Sequence, residues 1–86
     1  IEWLAANTAR LGLLPDCMTM AGDSAGANLA LAALLVLRAS PHPLIRAAAL
    51  FYGVYDHDLT RPSYLGHGCA PGLFPAARMA WYWDRY

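Results

Sequence analysis

A serine with a glycine two residues before it and another two residues after it is the feature of this sequence best suited to chemistry. Gly22-Asp23-Ser24-Ala25-Gly26 follows the pattern G-x-S-x-G. This pattern is typical of a sharp turn from a strand into a helix, where the glycines permit tight packing and the serine hydroxyl projects from the strand end. Ser24 is therefore the predicted catalytic nucleophile. The N–H of Ala25 is predicted to be one donor of an oxyanion hole.

Two other interpretations of this glycine-rich run involve no nucleophile. The run could be a purely structural Ser-Gly turn, or it could be a phosphate-binding loop. The chain contains no lysine and no G-x-x-x-x-G-K-[ST] pattern, which argues against a phosphate loop. A plain turn is less favoured because a strand is predicted to end at Gly22 and a helix to begin beyond Ser24, which is the context that the motif requires.

The segments around the motif predict a strand, a helix and a second strand. Residues 18–21 form a short, mostly apolar run, and residues 25–38 are mostly alanine and leucine, so that helix is apolar around almost its whole circumference. Residues 47–55 form a continuous apolar stretch, which is typical of a parallel strand covered on both faces. The predicted fold class is therefore α/β, with two parallel strands joined by a right-handed crossover helix.

The flanking segments are predicted as two further helices and a loop. Apolar residues spaced by three and four predict an amphipathic helix over residues 2–13, ended by Gly12 and Pro15. Residues 59–72 are rich in glycine and proline and are predicted to be a loop. A last helix is predicted to begin near Pro75 and to run to Tyr86. Its aromatic residues 81–83 are expected to pack in a core, with the lining of a substrate pocket as the alternative.

A serine nucleophile needs a base that takes its proton and an acid that orients the base. His42 follows a helix of about 14 residues that leads away from Ser24, which places it about 20 Å away at about 1.5 Å per residue. His57 and His67 follow the second predicted strand, but the order of serine, acid and histidine along the chain argues against both. Asp56 fits that order as the acid and remains an alternative.

Composition and charge exclude several classes of partner. Six basic residues balance six acidic ones, so neither a nucleic acid nor an anionic membrane surface is an expected partner. The longest apolar run, residues 29–37, is much shorter than the roughly 20 residues that span a bilayer. Cys17 and Cys69 are expected to be reduced thiols rather than a disulfide or a metal site, and a cytoplasmic location is favoured.

The motif and its surroundings resemble a known family. Gly22 to Ala30, read as GDSAGANLA, is similar to the nucleophile segment of the hormone-sensitive-lipase-like family of α/β-hydrolases, which includes bacterial carboxylesterases and relatives of arylacetamide deacetylase. The sequence departs from that family at Ala27, where a second glycine is usual, and at residues 14–17, where an Asp-Pro-x-Arg turn is usual. Further segments that resemble the family are Leu11-Gly12-Leu13, residues 50–56, Pro62-Ser63-Tyr64 and Trp81-Tyr82-Trp83.

The resemblance implies that the chain is a piece of an enzyme. The two strands would be the fifth and sixth of a central sheet, the His-Gly-Gly oxyanion loop would precede Ile1, and the catalytic acid and histidine would follow Tyr86. With 58% hydrophobic and only 14% charged residues, the chain also has the composition of a domain interior. Residues 1–86 are accordingly interpreted as the central part of an α/β-hydrolase domain that is truncated at both ends.

The expected function is the hydrolysis of a carboxylic ester through an acyl-enzyme on Ser24. The expected partner is a small-molecule ester, no cofactor or metal is implied, and the oligomeric state is left open. The alternative is a ligand-binding protein without catalysis, because the family also resembles plant gibberellin receptors that keep the serine and lack the base. A histidine at the family's triad position would favour the enzyme over the receptor.

Overall fold

A computed structural model describes residues 1–14, 16–39, 45–67 and 74–86. The described chain divides into two units, Ile1–Val54 and Tyr55–Tyr86. His42 and Cys69, which were considered above as a base and a thiol, lie outside the described residues. In chain order the elements are α1 (Glu2–Ala6), α2 (Thr8–Leu11), β1 (Met18–Asp23), α3 (Ala25–Leu37), β2 (Ile45–Phe51), α4 (Pro62–His67) and α5 (Ala76–Trp83).

The two strands of the first unit are parallel neighbours, as the sequence predicted. Ala21 lies opposite Ala49, and Asp23, the last residue of β1, lies opposite Phe51, the last residue of β2. The register is irregular only between Met18 and Thr19. Because parallel strands run in one direction, the carboxyl ends of β1 and β2 meet at the same edge of the sheet, and the turn into α3 begins there.

Helix α3 connects the strands and contacts both of them. Ala27 and Ala30 are its buried residues, at 0% and 6% exposure, and their small side chains allow the helix to lie close to the sheet. The sequence indicated a helix that must be covered on most sides. Within the described part of the chain the cover is incomplete, since Leu29 and Val36 are 61% and 77% exposed.

The second strand is shorter at its carboxyl end than the sequence predicted. The prediction extended it to residue 55, but β2 ends at Phe51 and Tyr52 has a φ of 38°. The reason is the length of its partner: β1 ends at Asp23, opposite Phe51, so residues beyond Phe51 have no parallel neighbour in β1. The apolar character of residues 52–55 does not by itself require a strand, and Tyr52 and Tyr55 are 76% and 49% exposed.

The single amphipathic helix predicted over residues 2–13 is wrong, because two short helices lie there. They are separated at Asn7, whose φ and ψ are −117° and 12°. The Asn7 side chain donates a hydrogen bond to the Trp3 carbonyl oxygen (2.7 Å), and such a local bond competes with the regular helical pattern. Gly12 does end the second helix, as predicted, in a left-handed conformation with a φ of 66°.

In the second unit, the predicted loop over residues 59–72 is wrong between Pro62 and His67, where helix α4 lies. Pro62 is its first residue, a position at which proline costs no hydrogen bond. Helix α5 begins at Ala76, directly after Pro75, and ends at Trp83 rather than at the predicted Tyr86. No helix in the described ranges is long and apolar enough to cross a membrane.

The aromatic residues of α5 do not form the core that the sequence indicated. Trp81 and Tyr82 are 52% and 47% exposed. The Trp83 ring meets the edges of two neighbours within the same unit, His57 at 6.0 Å and Tyr86 at 5.2 Å between centroids. Such edge-to-face contacts stabilise the unit only modestly, by about 0.5–1.5 kcal/mol each.

Candidate active site

Ser24 occupies a turn of one residue between the end of β1 and the start of α3. Its φ is 48° and its ψ is −120°, and a positive φ of this kind is typical of the strained turn that exposes a nucleophile. For a serine, this sparsely populated region of φ and ψ raises the free energy of the folded state by about 1–3 kcal/mol. Other interactions in the structure must offset that cost. Part of that support is direct, because the Ser24 N–H donates to the carbonyl oxygen of Phe51 (3.0 Å) and so continues the pairing with β2.

Gly22 permits this turn because the strand end and the first turn of α3 are in backbone contact. A Cβ built on Gly22 would lie 2.8 Å from the Ala27 nitrogen and closer still to the carbonyl group of Gly26. Gly26 has more room, since a Cβ there would meet only an Asp23 carboxylate oxygen at 4.0 Å. The first glycine of the motif is therefore required by packing, and the second is not required by any contact in the described residues.

The Ser24 hydroxyl does not cap helix α3. Ser24 is the N-cap residue of α3, yet its side chain makes no capping hydrogen bond. The Ser24 carbonyl oxygen instead receives the N–H groups of Ala27 (3.1 Å) and Asn28 (3.3 Å). Ser24 is half-buried at the carboxyl edge of the sheet, and among the described residues its hydroxyl does not cap α3.

The N–H of Ala25, the predicted oxyanion donor, has no acceptor within the helix. Ala25 is the first residue of α3, and the first N–H groups of a helix have no acceptor within it. The N–H of Ser24 is already bonded to Phe51. The positive end of the helix dipole adds to the attraction for negative charge at this point. The Ser24 hydroxyl and the Ala25 N–H, which the sequence predicts as nucleophile and oxyanion donor, thus lie on adjacent residues.

Asp23 lies beside the turn with its side chain exposed. The Tyr52 hydroxyl is 3.5 Å from one of its carboxylate oxygens, which is the long limit of a hydrogen bond. This contact leaves Asp23 a solvated turn residue with one long hydrogen bond. It also places an exposed phenol at the same edge of the sheet as the serine.

Asn28 is a polar residue of this region that the sequence interpretation did not single out. Its side-chain Nδ2 donates to the carbonyl oxygen of Val54, in the segment that follows β2. Its Oδ1 is buried and has no hydrogen-bond partner among the described residues. The available signal was an amide in an otherwise alanine- and leucine-rich helix, four residues after Ser24.

Asp56, the alternative for the catalytic acid, belongs to the second unit and already has partners there. One carboxylate oxygen accepts the Asp58 N–H (2.9 Å), and the other is paired with the Arg61 guanidinium. The Asp58 N–H first and the Arg61 side chain second lower the pKa of Asp56. Hydrogen bonds from the hydroxyl and N–H of Thr60 likewise lower the pKa of Asp58. These contacts are those of a charged surface turn.

The histidines that the structure describes, His57 and His67, both belong to the Tyr55–Tyr86 unit, whereas Ser24 belongs to the first unit. The His57 ring lies against Trp83, and His67 is the last residue of α4. The assignment of a base among them stays an open prediction. Among the described residues, no group of three or more side chains could hold a metal ion.

The close approach at Gly22 generates a first prediction. Gly22→Ala should lower the free energy of unfolding of the intact protein by about 3 kcal/mol, because the new methyl group meets backbone atoms that cannot rotate away. Gly26→Ala is the matched control and should change it by less than about 1 kcal/mol, because the site has room and alanine favours a helix. Urea unfolding measures both. Equal midpoints for the two variants would contradict the packing role of Gly22.

The Asp56 turn generates a second prediction. Because the Asp58 N–H and Arg61 stabilise the carboxylate, Asp56 should titrate below the ordinary aspartate pKa, and Arg61→Gln should raise that pKa. The stabilisation is present above the ordinary pKa and is lost as the pH falls through the lowered one. Carbon-detected NMR of the carboxyl group measures this. Arg78→Gln is the control, and an unchanged Asp56 titration in Arg61→Gln would refute the assignment.

Comparison of the sequence with known proteins identifies the family of this chain. The sequence model of a family described by its alpha/beta hydrolase fold matches residues 1–86. The esterase LipQ of Mycobacterium tuberculosis is 38% identical over 101 aligned positions, which cover 90% of this chain and 23% of LipQ. The carboxylesterase NlhH of the same species is 33% identical over 85 positions, which cover 95% of this chain and 27% of NlhH.

The chain thus spans about a quarter of the length of these curated relatives. Within that span it has the parallel strands and the connecting helix that the fold class requires. The predicted α/β class and the resemblance to esterases of the α/β-hydrolase type are both confirmed. The chain belongs to the family with the alpha/beta hydrolase fold.

Proposed function

We propose that Ser24 is the nucleophile of a carboxylic-ester hydrolase. The observation that carries the proposal is the conformation of Ser24: a positive φ at a strand-to-helix turn, with its hydroxyl free of any capping bond. A purely structural turn could use a glycine at this position without backbone strain. The printed names of the relatives, esterase and carboxylesterase, support an ester as the substrate class.

The proposed reaction has two steps. The Ser24 Oγ attacks the carbonyl carbon of the ester while a base takes its proton, and the N–H of Ala25 stabilises the resulting oxyanion. The tetrahedral intermediate then expels the alcohol, which receives the proton from the base, and leaves an acyl-serine. Water attacks the acyl-serine in the same way and releases the carboxylic acid. This sequence of steps needs no cofactor.

The base, the orienting acid and a second oxyanion donor are proposed to come from parts of the protein outside residues 1–86. The chain would then be the central part of a larger hydrolase domain, and its share of the relatives' length supports this. Asp56 is the weaker candidate for the acid because Asp58 and Arg61 engage both of its oxygens. The proposed partner remains a small-molecule ester.

The role of Ser24 is tested by one substitution in the intact protein that contains this chain. Ser24→Ala should lower kcat for p-nitrophenyl butyrate by at least about 10⁴-fold, because removal of the nucleophile leaves only binding and oxyanion stabilisation. Ser63→Ala, on the exposed helix α4, is the control and should retain full activity. Activity that survives Ser24→Ala would show that the nucleophile is misassigned. A folded wild-type protein that hydrolyses no ester would favour the ligand-binding alternative.

The 86-residue chain made alone tests whether the base and the acid lie outside residues 1–86. It should show no ester hydrolysis that depends on Ser24, because the chain supplies a nucleophile and one oxyanion donor without the proposed base and acid. The measurement compares the chain with its Ser24→Ala variant on p-nitrophenyl butyrate. Turnover that disappears in the variant would show instead that a histidine of this chain is the base, with His57 and His67 as the first candidates.

A further inference from the structure

Asn28 makes hydrogen bonds on both sides of the turn that holds Ser24. Its backbone N–H donates to the Ser24 carbonyl oxygen (3.3 Å), and its side-chain Nδ2 donates to the Val54 carbonyl oxygen. One residue therefore links the strained turn to the segment that follows β2. Both bonds lie within the first unit of the structure.

The segment that receives the Asn28 side chain has no support from the strand pairing. The ladder between β1 and β2 ends at Asp23 and Phe51, and Tyr52 then turns away with a φ of 38°. The carbonyl of Val54 lies three residues beyond the last paired residue. The Val54 carbonyl therefore accepts a hydrogen bond from the Asn28 side chain in helix α3, and not from strand β1.

Asn28 is half-buried, and packing alone does not explain an amide at this position. Its Oδ1 is buried without a partner among the described residues, so the side chain carries a desolvation penalty on that atom. An apolar side chain of the same shape would avoid that penalty. The amide, unlike a leucine side chain, donates a hydrogen bond to the Val54 carbonyl oxygen.

We propose that Asn28 is a positioning residue for the nucleophile turn. By tying α3 to residues 52–54, it holds the Ser24 turn in its positive-φ conformation, so that the Ser24 hydroxyl and the Ala25 N–H keep their places relative to one ester carbonyl. Without the tie, Ser24 relaxes toward an ordinary backbone conformation, which rotates its side chain away. This inference rests on the proposed role of Ser24.

The test uses the intact protein with Asn28→Leu, which keeps the side-chain shape and removes the donor, and with Asn28→Ala as a second variant that adds no bulk. Both should lower kcat for p-nitrophenyl butyrate about 10- to 100-fold, because small displacements of a reacting group cost this much. KM should stay within about twofold, since Asn28 is not proposed to touch the substrate. The rate at which a fluorophosphonate labels Ser24 should fall by the same factor as kcat.

Asn7→Leu is the matched control. The Asn7 side chain also donates to a backbone carbonyl, that of Trp3, but at the junction of α1 and α2. This variant should change kcat, KM and the labelling rate by less than about twofold. Rates are expressed per folded molecule, with the folded fraction taken from circular dichroism, so that a loss of stability alone does not imitate the effect.

The outcomes separate the two proposals. If the Asn28 variants keep kcat within about twofold while Ser24→Ala is inactive, the positioning role is wrong and the nucleophile stands. If kcat falls equally in Asn7→Leu, the effect is general destabilisation and the positioning role is again wrong. If Ser24→Ala is as active as the wild type, the nucleophile proposal fails and the Asn28 inference fails with it.

Discussion

The structure around Ser24 depends on a backbone contact at Gly22. The end of β1 and the first turn of α3 approach so closely that no Cβ fits between them. Because of this approach, a single residue must reverse the chain from strand to helix, and Ser24 does so with a φ of 48°. The position of the hydroxyl therefore depends in part on packing two residues earlier, which explains why the motif requires its first glycine.

The parallel pairing of the strands determines which backbone donors remain free at the turn. Since Asp23 lies opposite Phe51, the next N–H along β1, that of Ser24, falls within reach of the Phe51 carbonyl and bonds to it. That bond helps to hold the strained residue and also removes its N–H from any role with a substrate. The next N–H along the chain, that of Ala25, has no acceptor within the helix and lies where the helix dipole favours negative charge. Strand pairing and the proposed oxyanion contact would then use successive N–H groups of the same turn.

The features that could be predicted from the sequence are those that depend on residue types close together along the chain. The strand, the turn at Ser24 and helix α3 follow from one motif and two apolar segments, and each is present. The length of β2 could not be predicted because it depends on where β1 ends, which residues 47–55 do not encode. The break at Asn7 and the bond from Asn28 to Val54 depend on side-chain hydrogen bonds whose acceptors cannot be read from residue type.

The side chains of Asp56 and Asp58 are hydrogen-bonded within their own turn, whereas the Ser24 hydroxyl makes no capping bond. The carboxylates of Asp56 and Asp58 accept hydrogen bonds from N–H, hydroxyl and guanidinium groups of their own turn, which stabilise the ionised form. The Ser24 hydroxyl makes no capping bond, although a serine at a helix start commonly does. A serine that lacks this bond and has a strained backbone supports the proposal that Ser24 reacts with a substrate.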